Sequence, residues 1–311
     1  AYIIGDSIEG WADAIHRLLE YFFVSGSKKP VFDYSEIRPK GAKIAGRFIA
    51  PGPDGLRLSL DKIRGLLKEA VTAGQRRLSA LQCTDIIAYL ADSVLSGGVR
   101  RSALMILFSP EDKEMVNCKH GDWFSTNPQR ARFNMSAALN RGQVERTVYE
   151  YLFEAMRTSG DPGLYWRDKF GVGCNPCCEI GFFPTDKDGA TGWQVCNLAS
   201  INGLACTSEE EFYKICRCAS TLATVQATYM DFPYLSPATK NIIEADPLIG
   251  VSIGGIMNNP QILTNGDILA VGAMQVRQQN AQCARILGIN PASRTTCVKP
   301  DGTVSLLLGM T

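Results

Sequence analysis

Asn175, Cys177 and Glu179 are each separated by one residue. In an extended segment that spacing places all three side chains on one face. A thiol flanked by an amide and a carboxylate is an odd group to bury unless chemistry requires it. Cys196 follows at a distance that lets a hairpin-like return bring a second thiol alongside. Buried cysteines often serve as small inert hydrophobes. Pro176 and Glu179, however, are poor core residues, and their presence turns the balance toward chemistry.

The whole chain has room to bury such a site. It has 311 residues, 45% of them hydrophobic and 20% charged, enough for one large domain or two modest ones. A formal charge of +1 provides no basic field for nucleic acid. No uninterrupted apolar run is long enough for a membrane span, and no basic, apolar, small-residue leader opens the sequence. The eleven cysteines are an odd number without the density of a disulfide scaffold, which favours free thiols in a reducing cytoplasm. Cys174 and Cys177, with Cys216 and Cys218, do not form two matching zinc knuckles, so no metal site is expected. With two histidines, an all-histidine metal site is excluded, and His120 is expected to be exposed.

The elements that must position these residues read as alternating helices and strands. Asp6 and Glu9 suggest a capping box for a helix through Trp11, Ile15 and Leu18. The Gly-, Pro- and Lys/Arg-rich stretch 26–56 reads as a long loop, in which Lys40, Gly41, Lys43, Gly46 and Arg47 could cradle phosphate. A second helix is expected from Ser59, and a third capped by Thr84 and stopped by Gly97–Gly98. Residues 99–108 follow as a strand, 109–132 as an irregular polar segment, and 133–139 as a strand with Asn134 and Ser136 on one face. A helix over 143–158 leads to the central motif. Beyond it are a helix from Thr207 with Glu210 as its box partner, a strand over 249–256 and a helix over 267–287. The last segment, 295–308, reads as a loop and strand. Strands separated by capped helices argue for a layered or barrel α/β domain.

Four stretches in order carry a resemblance: GGVRRSA at 97–103, NMSA at 134–137, NPCCE at 175–179 with VCNL at 195–198, and TTCVKPDGTVSLLLG at 295–309. Together they resemble the catalytic subunits of ribonucleotide reductases, and their wording is most like the class II, adenosylcobalamin-dependent enzymes. The resemblance implies a ten-stranded α/β barrel, of which this chain looks like an incomplete central portion. It implies a finger loop within 171–200 with Cys177 buried at its tip, and an allosteric specificity region within 1–103.

By the same resemblance, Cys177 is the thiyl residue, Glu179 takes the 3′-hydroxyl proton and Asn175 holds the sugar. Cys196 is one of two thiols that finish as a disulfide, its partner lying upstream of Ala1. Asn134, Ser136, Thr303, Val304 and Ser305 would contact substrate, and Asp6, Ser7, Ile8, Arg38, Lys43, Arg100 and Arg101 an effector. Asp301 stands where the family commonly has a small hydroxyl residue, and a carboxylate beside phosphate is unfavourable unless it points away. Cys178 is an additional thiol beside the radical position. The implied partners are a ribonucleoside di- or triphosphate, a deoxynucleoside triphosphate or ATP effector, a thioredoxin-like reductant, and a second copy or complementary chain fragments. Alternatives are a class I catalytic subunit fed by a separate diiron protein, and an inactive nucleotide-binding homologue.

Overall fold

The computed structural model describes residues 1–44, 48–94, 103–169 and 171–310, with the Phe48 side chain also outside the description. The chain divides into two compact units, Ala1–Asp168 and Lys169–Thr311.

In the first unit, three helices, Ile8–Phe23, Asp54–Thr72 and Ala80–Ser93, enclose a core of Ile4, Leu18, Leu56, Leu60, Ile63 and Leu67. Their starts differ from expectation for local reasons. Ser7, in extended conformation, caps the first helix by accepting from the Gly10 amide at 3.0 Å. Asp6 instead accepts from Arg38 Nε at 2.5 Å. Ser59 is buried inside the second helix, its hydroxyl donating to the Tyr89 carbonyl at 2.6 Å. The third helix starts with a capping box between Ser79 and Gln82. Thr84 lies within it, donating to the Ala80 carbonyl, a back-bond that satisfies a hydroxyl inside a helix as well as at a cap.

Strands Leu104–Phe108, Phe133–Asn140 and Gly163–Arg167 form a parallel sheet in that order. Parallel neighbours need crossovers. Helix Arg146–Ser159, ended by Gly160 at φ 78°, makes the second. The first, expected to be irregular, contains four-residue helices Lys113–Val116 and Trp123–Thr126 and a 3-10 turn at Pro128–Arg132. Buried charges hold it. Lys119 Nζ donates to the Phe133 carbonyl at 2.6 Å and to Asp161 at 2.8 Å, and Arg130 forks onto both oxygens of Asp85. His120 is half-buried rather than exposed, with its ring Nε2 3.3 Å from the Ala155 carbonyl.

The second unit repeats the plan. Strands Cys196–Asn202, Leu248–Gly254 and Arg294–Thr296 run parallel in that order. Helices Glu209–Gln226 and Gly266–Leu287 pack with them around Ile201, Phe212, Cys216, Ile249, Val251 and Val276. Cys216 is buried, whereas Cys218 is exposed. The first of these helices is capped by Ser208, which accepts from the Glu211 amide, in place of the Thr207–Glu210 box. Gly272 is required where the helices meet, because a Cβ there would lie 2.5 Å from the Phe212 ring. The last segment ends in a short helix, Thr303–Leu307, where a strand was expected.

Candidate active site

Side-chain alternation divides the second sheet into two faces. Ile201, Ile249 and Val251 join the helix-covered core. The opposite face presents Cys196, Leu198, Ser200 and Asn202 from one strand and Gly250, Ser252 and Gly254 from its neighbour, in register Leu198↔Gly250, Ser200↔Ser252 and Asn202↔Gly254. The segment after the third strand lies over this face. The Lys299 amide donates to Ser252 Oγ at 3.1 Å, and Ser200 Oγ donates to Asp301 Oδ1 at 2.5 Å.

The two glycines make that approach possible. A Cβ on Gly250 would meet Cys297 Sγ at 2.9 Å and the ends of Leu198 and Ile180. One on Gly254 would meet Asp301 Oδ2 at 2.2 Å.

The Asn175–Cys177–Glu179 motif lies in an antiparallel hairpin, Gly173–Cys174 with Gly181–Phe182. Its tip is a turn rather than the extended run that the spacing suggested. The Cys178 amide donates to the Asn175 carbonyl at 2.9 Å, and Asn175 Oδ1 accepts from the Ile180 amide at 3.0 Å. Asn175 therefore organises the turn, and Pro176 occupies the position whose φ it presets. Cys178 has φ 62°, the only positive value for a non-glycine among the described residues, and its Cβ there costs about 1 kcal/mol. Cys177, at the turn, is exposed and not buried as the resemblance implied.

Glu179 Oε2 is buried without a hydrogen-bond partner among the described residues. Its charge acts on two thiols. Burial, then Cys297 and Glu179, push the Cys196 thiol up to about 12. Burial and Glu179 push Cys297 up to about 11, against the opposing effect of Lys299. Both remain protonated at neutral pH, as hydrogen-donating thiols. Cys297 was not singled out as a site residue, and its only signal was its place beside the KPDGT segment. What brings it in is the missing side chain at Gly250, on a different strand.

Six thiols share this direction of shift: Cys118, Cys206 and Cys297 to about 11, Cys196 and Cys216 to about 12, and Cys174, raised by burial and its contact with Cys178. A folded value above the unfolded one, near 9.0, means stability that is present below pH 9 and is lost as pH rises through 11–12. Under reducing conditions Tm should fall progressively above pH 9. An unchanged Tm between pH 8 and 10.5 would contradict that coupling.

Asp301 resolves its own difficulty by pointing into the sheet. Its carboxylate is 4% exposed and ion-paired with Lys299, itself 11% exposed. Thr303, Val304 and Ser305 open the short helix after Gly302. The Val304 amide donates to the Asp301 carbonyl and the Ser305 amide to the Gly302 carbonyl, while Ser305 Oγ also donates to Gly302. These amides are spent within the turn, and Thr303 is exposed.

The first unit carries the remaining candidates. Asn134 is exposed. Ser136 is buried beside Gly163, where a Cβ would meet its hydroxyl at 2.6 Å. Asp6 and Arg38 are brought together as an ion pair, Ser7 is engaged as a cap, Ile8 is 63% exposed, and Lys43 is exposed on the small hairpin Lys43–Ile44 with Phe48–Ile49. Arg100 and Arg101, with Gly46 and Arg47, lie outside the described residues.

The chain superimposes over 100% of its length on 47% of a B12-dependent (class II) ribonucleotide reductase, with TM-score 0.80 and 24% identity. The α/β architecture of the reductase barrel, inferred from the motifs, is therefore borne out.

In sequence the chain is similar to a protein of Dictyostelium discoideum named probable adenosylcobalamin-dependent ribonucleoside-triphosphate reductase, at 27% identity over 100% of this chain. It is also similar to the adenosylcobalamin-dependent ribonucleoside-triphosphate reductases of Euglena gracilis (27%, 100% of this chain) and Lacticaseibacillus paracasei (29%, 98%). The resemblance to class II reductases thus holds along the whole chain. The chain spans 41%, 43% and 45% of the length of these three relatives. No family model matches it.

Proposed function

We propose that this chain is the central part of the catalytic subunit of a class II ribonucleotide reductase, which replaces the 2′-hydroxyl of a ribonucleotide with hydrogen. The observation that carries the reading is that Glu179, in the hairpin that exposes Cys177, acts electrostatically on both Cys196 and Cys297 at the second sheet.

Cysteines cannot generate a radical unaided, so a cofactor is required. The residues fit adenosylcobalamin. The turn at 175–178 offers it an accessible thiol in Cys177, and the relatives that the chain resembles are named adenosylcobalamin-dependent. When bound, that cofactor supplies the initiating radical through homolysis of its cobalt–carbon bond.

Cys177 then takes the ribose 3′-hydrogen at sulfur. The unpartnered Oε2 of Glu179 receives the 3′-hydroxyl proton, and Asn175, which organises the turn, positions the sugar. The 2′-hydroxyl leaves as water. Cys196, held as a thiol, is one of two that deliver two electrons and end as a disulfide. Thr303 meets the phosphates, with Val304 and Ser305 shaping its turn. Asp6, Ser7, Ile8, Arg38, Lys43, Arg100 and Arg101 serve a nucleotide effector, a thioredoxin-like protein restores the dithiol, and the enzyme works in the cytoplasm as a homodimer. Among the described residues no helix is long and apolar enough to cross a membrane.

The test is reduction of ribonucleoside triphosphates by the full-length protein with a dithiol, with and without adenosylcobalamin. Turnover only with the cofactor is expected. Turnover that depends instead on an added diiron subunit would replace this reading with the class I one. Nucleotide binding without any turnover would leave a non-catalytic homologue.

A further inference from the structure

The finger hairpin carries a second pair of sulfurs, distinct from the thiols assigned to the reaction. Cys174 Sγ and Cys178 Sγ lie 3.3 Å apart across the turn. A disulfide bond is about 2.05 Å, so closing the pair needs a shift of roughly an ångström. Cys178 is exposed and Cys174 half-buried, so a small molecule can reach them.

The backbone supplies an independent observation. Cys178 occupies the left-handed region at φ 62°, where glycine would be free of strain. Strain of this kind at a reactive site points to a function for the side chain that bears it. Here it holds the Cys178 sulfur against Cys174, while the Cys178–Asn175 and Ile180–Asn175 hydrogen bonds keep the turn shut.

We propose that Cys174 and Cys178 form a reversible dithiol–disulfide site that accepts a small-molecule disulfide as oxidant and clamps the turn bearing Cys177. The exposed Cys178 thiol gives up its proton, and its sulfur attacks one sulfur of the oxidant. The oxidant's S–S bond breaks, and one half leaves and takes a proton as a thiol. Cys174 then loses its proton and attacks the Cys178 sulfur of the mixed disulfide, expelling the other half as a second thiol. The protein gives up two electrons and two protons, and the oxidant becomes two thiols. Burial and the Cys178 contact push the Cys174 thiol up, so the exchange starts at Cys178. A dithiol reductant reverses it. The proposal stands whether or not Cys177 carries a radical.

The test equilibrates the chain in graded mixtures of reduced and oxidised glutathione, quenches with acid, alkylates and maps the peptides by tandem mass spectrometry. The expected result is that Cys174 and Cys178 lose alkylation together, with one midpoint, as a peptide lighter by two hydrogens, while Cys177 stays alkylated. Dithiothreitol should restore both. In Cys178→Gly, which suits the left-handed backbone, Cys174 should alkylate at every ratio while Tm is equal to or above that of the parent. Alkylation of both residues throughout the series, mixed glutathione adducts that never resolve, or pairing of Cys178 with Cys177 would each overturn the proposal.

Discussion

Cys177→Ser in the full-length protein is expected to reduce deoxynucleotide formation to the assay background while nucleotide affinity stays within about twofold. The substitution exchanges one sulfur for one oxygen on an exposed turn residue, removing the atom proposed to abstract hydrogen. The turn is held by the Asn175 bonds to Cys178 and Ile180, neither of which uses the Cys177 side chain. The unfolding free energy should therefore change by less than the roughly 1 kcal/mol typical of a point substitution. The measurement pairs product formation with equilibrium nucleotide binding on the same preparation. Retained turnover would place the radical on another residue. Loss of binding in step with loss of turnover would show that Cys177 shapes the site and does not react in it.

The largest stability effect is expected at Lys299. Its ammonium is paired with Asp301, whose carboxylate is 4% exposed, and Ser200 supplies a hydrogen bond to the same oxygen. Asp301 Oδ2 has no partner among the described residues. Lys299→Met leaves that carboxylate buried with only a hydroxyl to answer it, a change that costs about 3–5 kcal/mol in comparable pairs. Replacing both, Lys299→Met with Asp301→Leu, removes the stranded charge and should recover most of the loss, because a buried ion pair contributes little net stability against apolar groups of similar size. Denaturant midpoints of the two variants and the parent separate these outcomes. Equal destabilisation by the single and double changes would mean that the segment is held by packing, with the charge pair incidental. Because Thr303 follows directly on this anchor, the single variant should also raise KM for nucleotide more than it lowers kcat.

That pair shows where reading along the chain stops. Asp301 stood out in sequence as a carboxylate close to a proposed phosphate site, and the difficulty was real as long as only its neighbours were known. Its resolution lies in Ser200 and in the bare Cα of Gly254, residues of two other strands. Cys297 has the same history, since its approach depends on the absence of a side chain at Gly250. Register between parallel strands is set by burial across the whole sheet, and nothing near residue 297 encodes it.

Caps failed for a smaller reason. Asp6 and Ser7 are both good cap residues, and the choice of Ser7 depends on Arg38 drawing Asp6 away. Likewise Thr84 and Ser79 offer the same chemistry to a helix start, and only the burial of Thr84 places it inside.

The amino-acid sequence by itself determined the class of fold, because amphipathic periods and capped helices between strands are local properties. It also determined the reactive inventory, because four motifs in order specify an amide, thiols and a carboxylate together. Tertiary structure alone decided which of these groups face one another. It turned an apparent extended face into a turn that exposes Cys177, paired Cys174 with Cys178, and buried Asp301 on Lys299. The physical reason is range: periodicity and capping act within a few residues, whereas desolvation, ion pairing and sulfur–sulfur approach depend on distances through space.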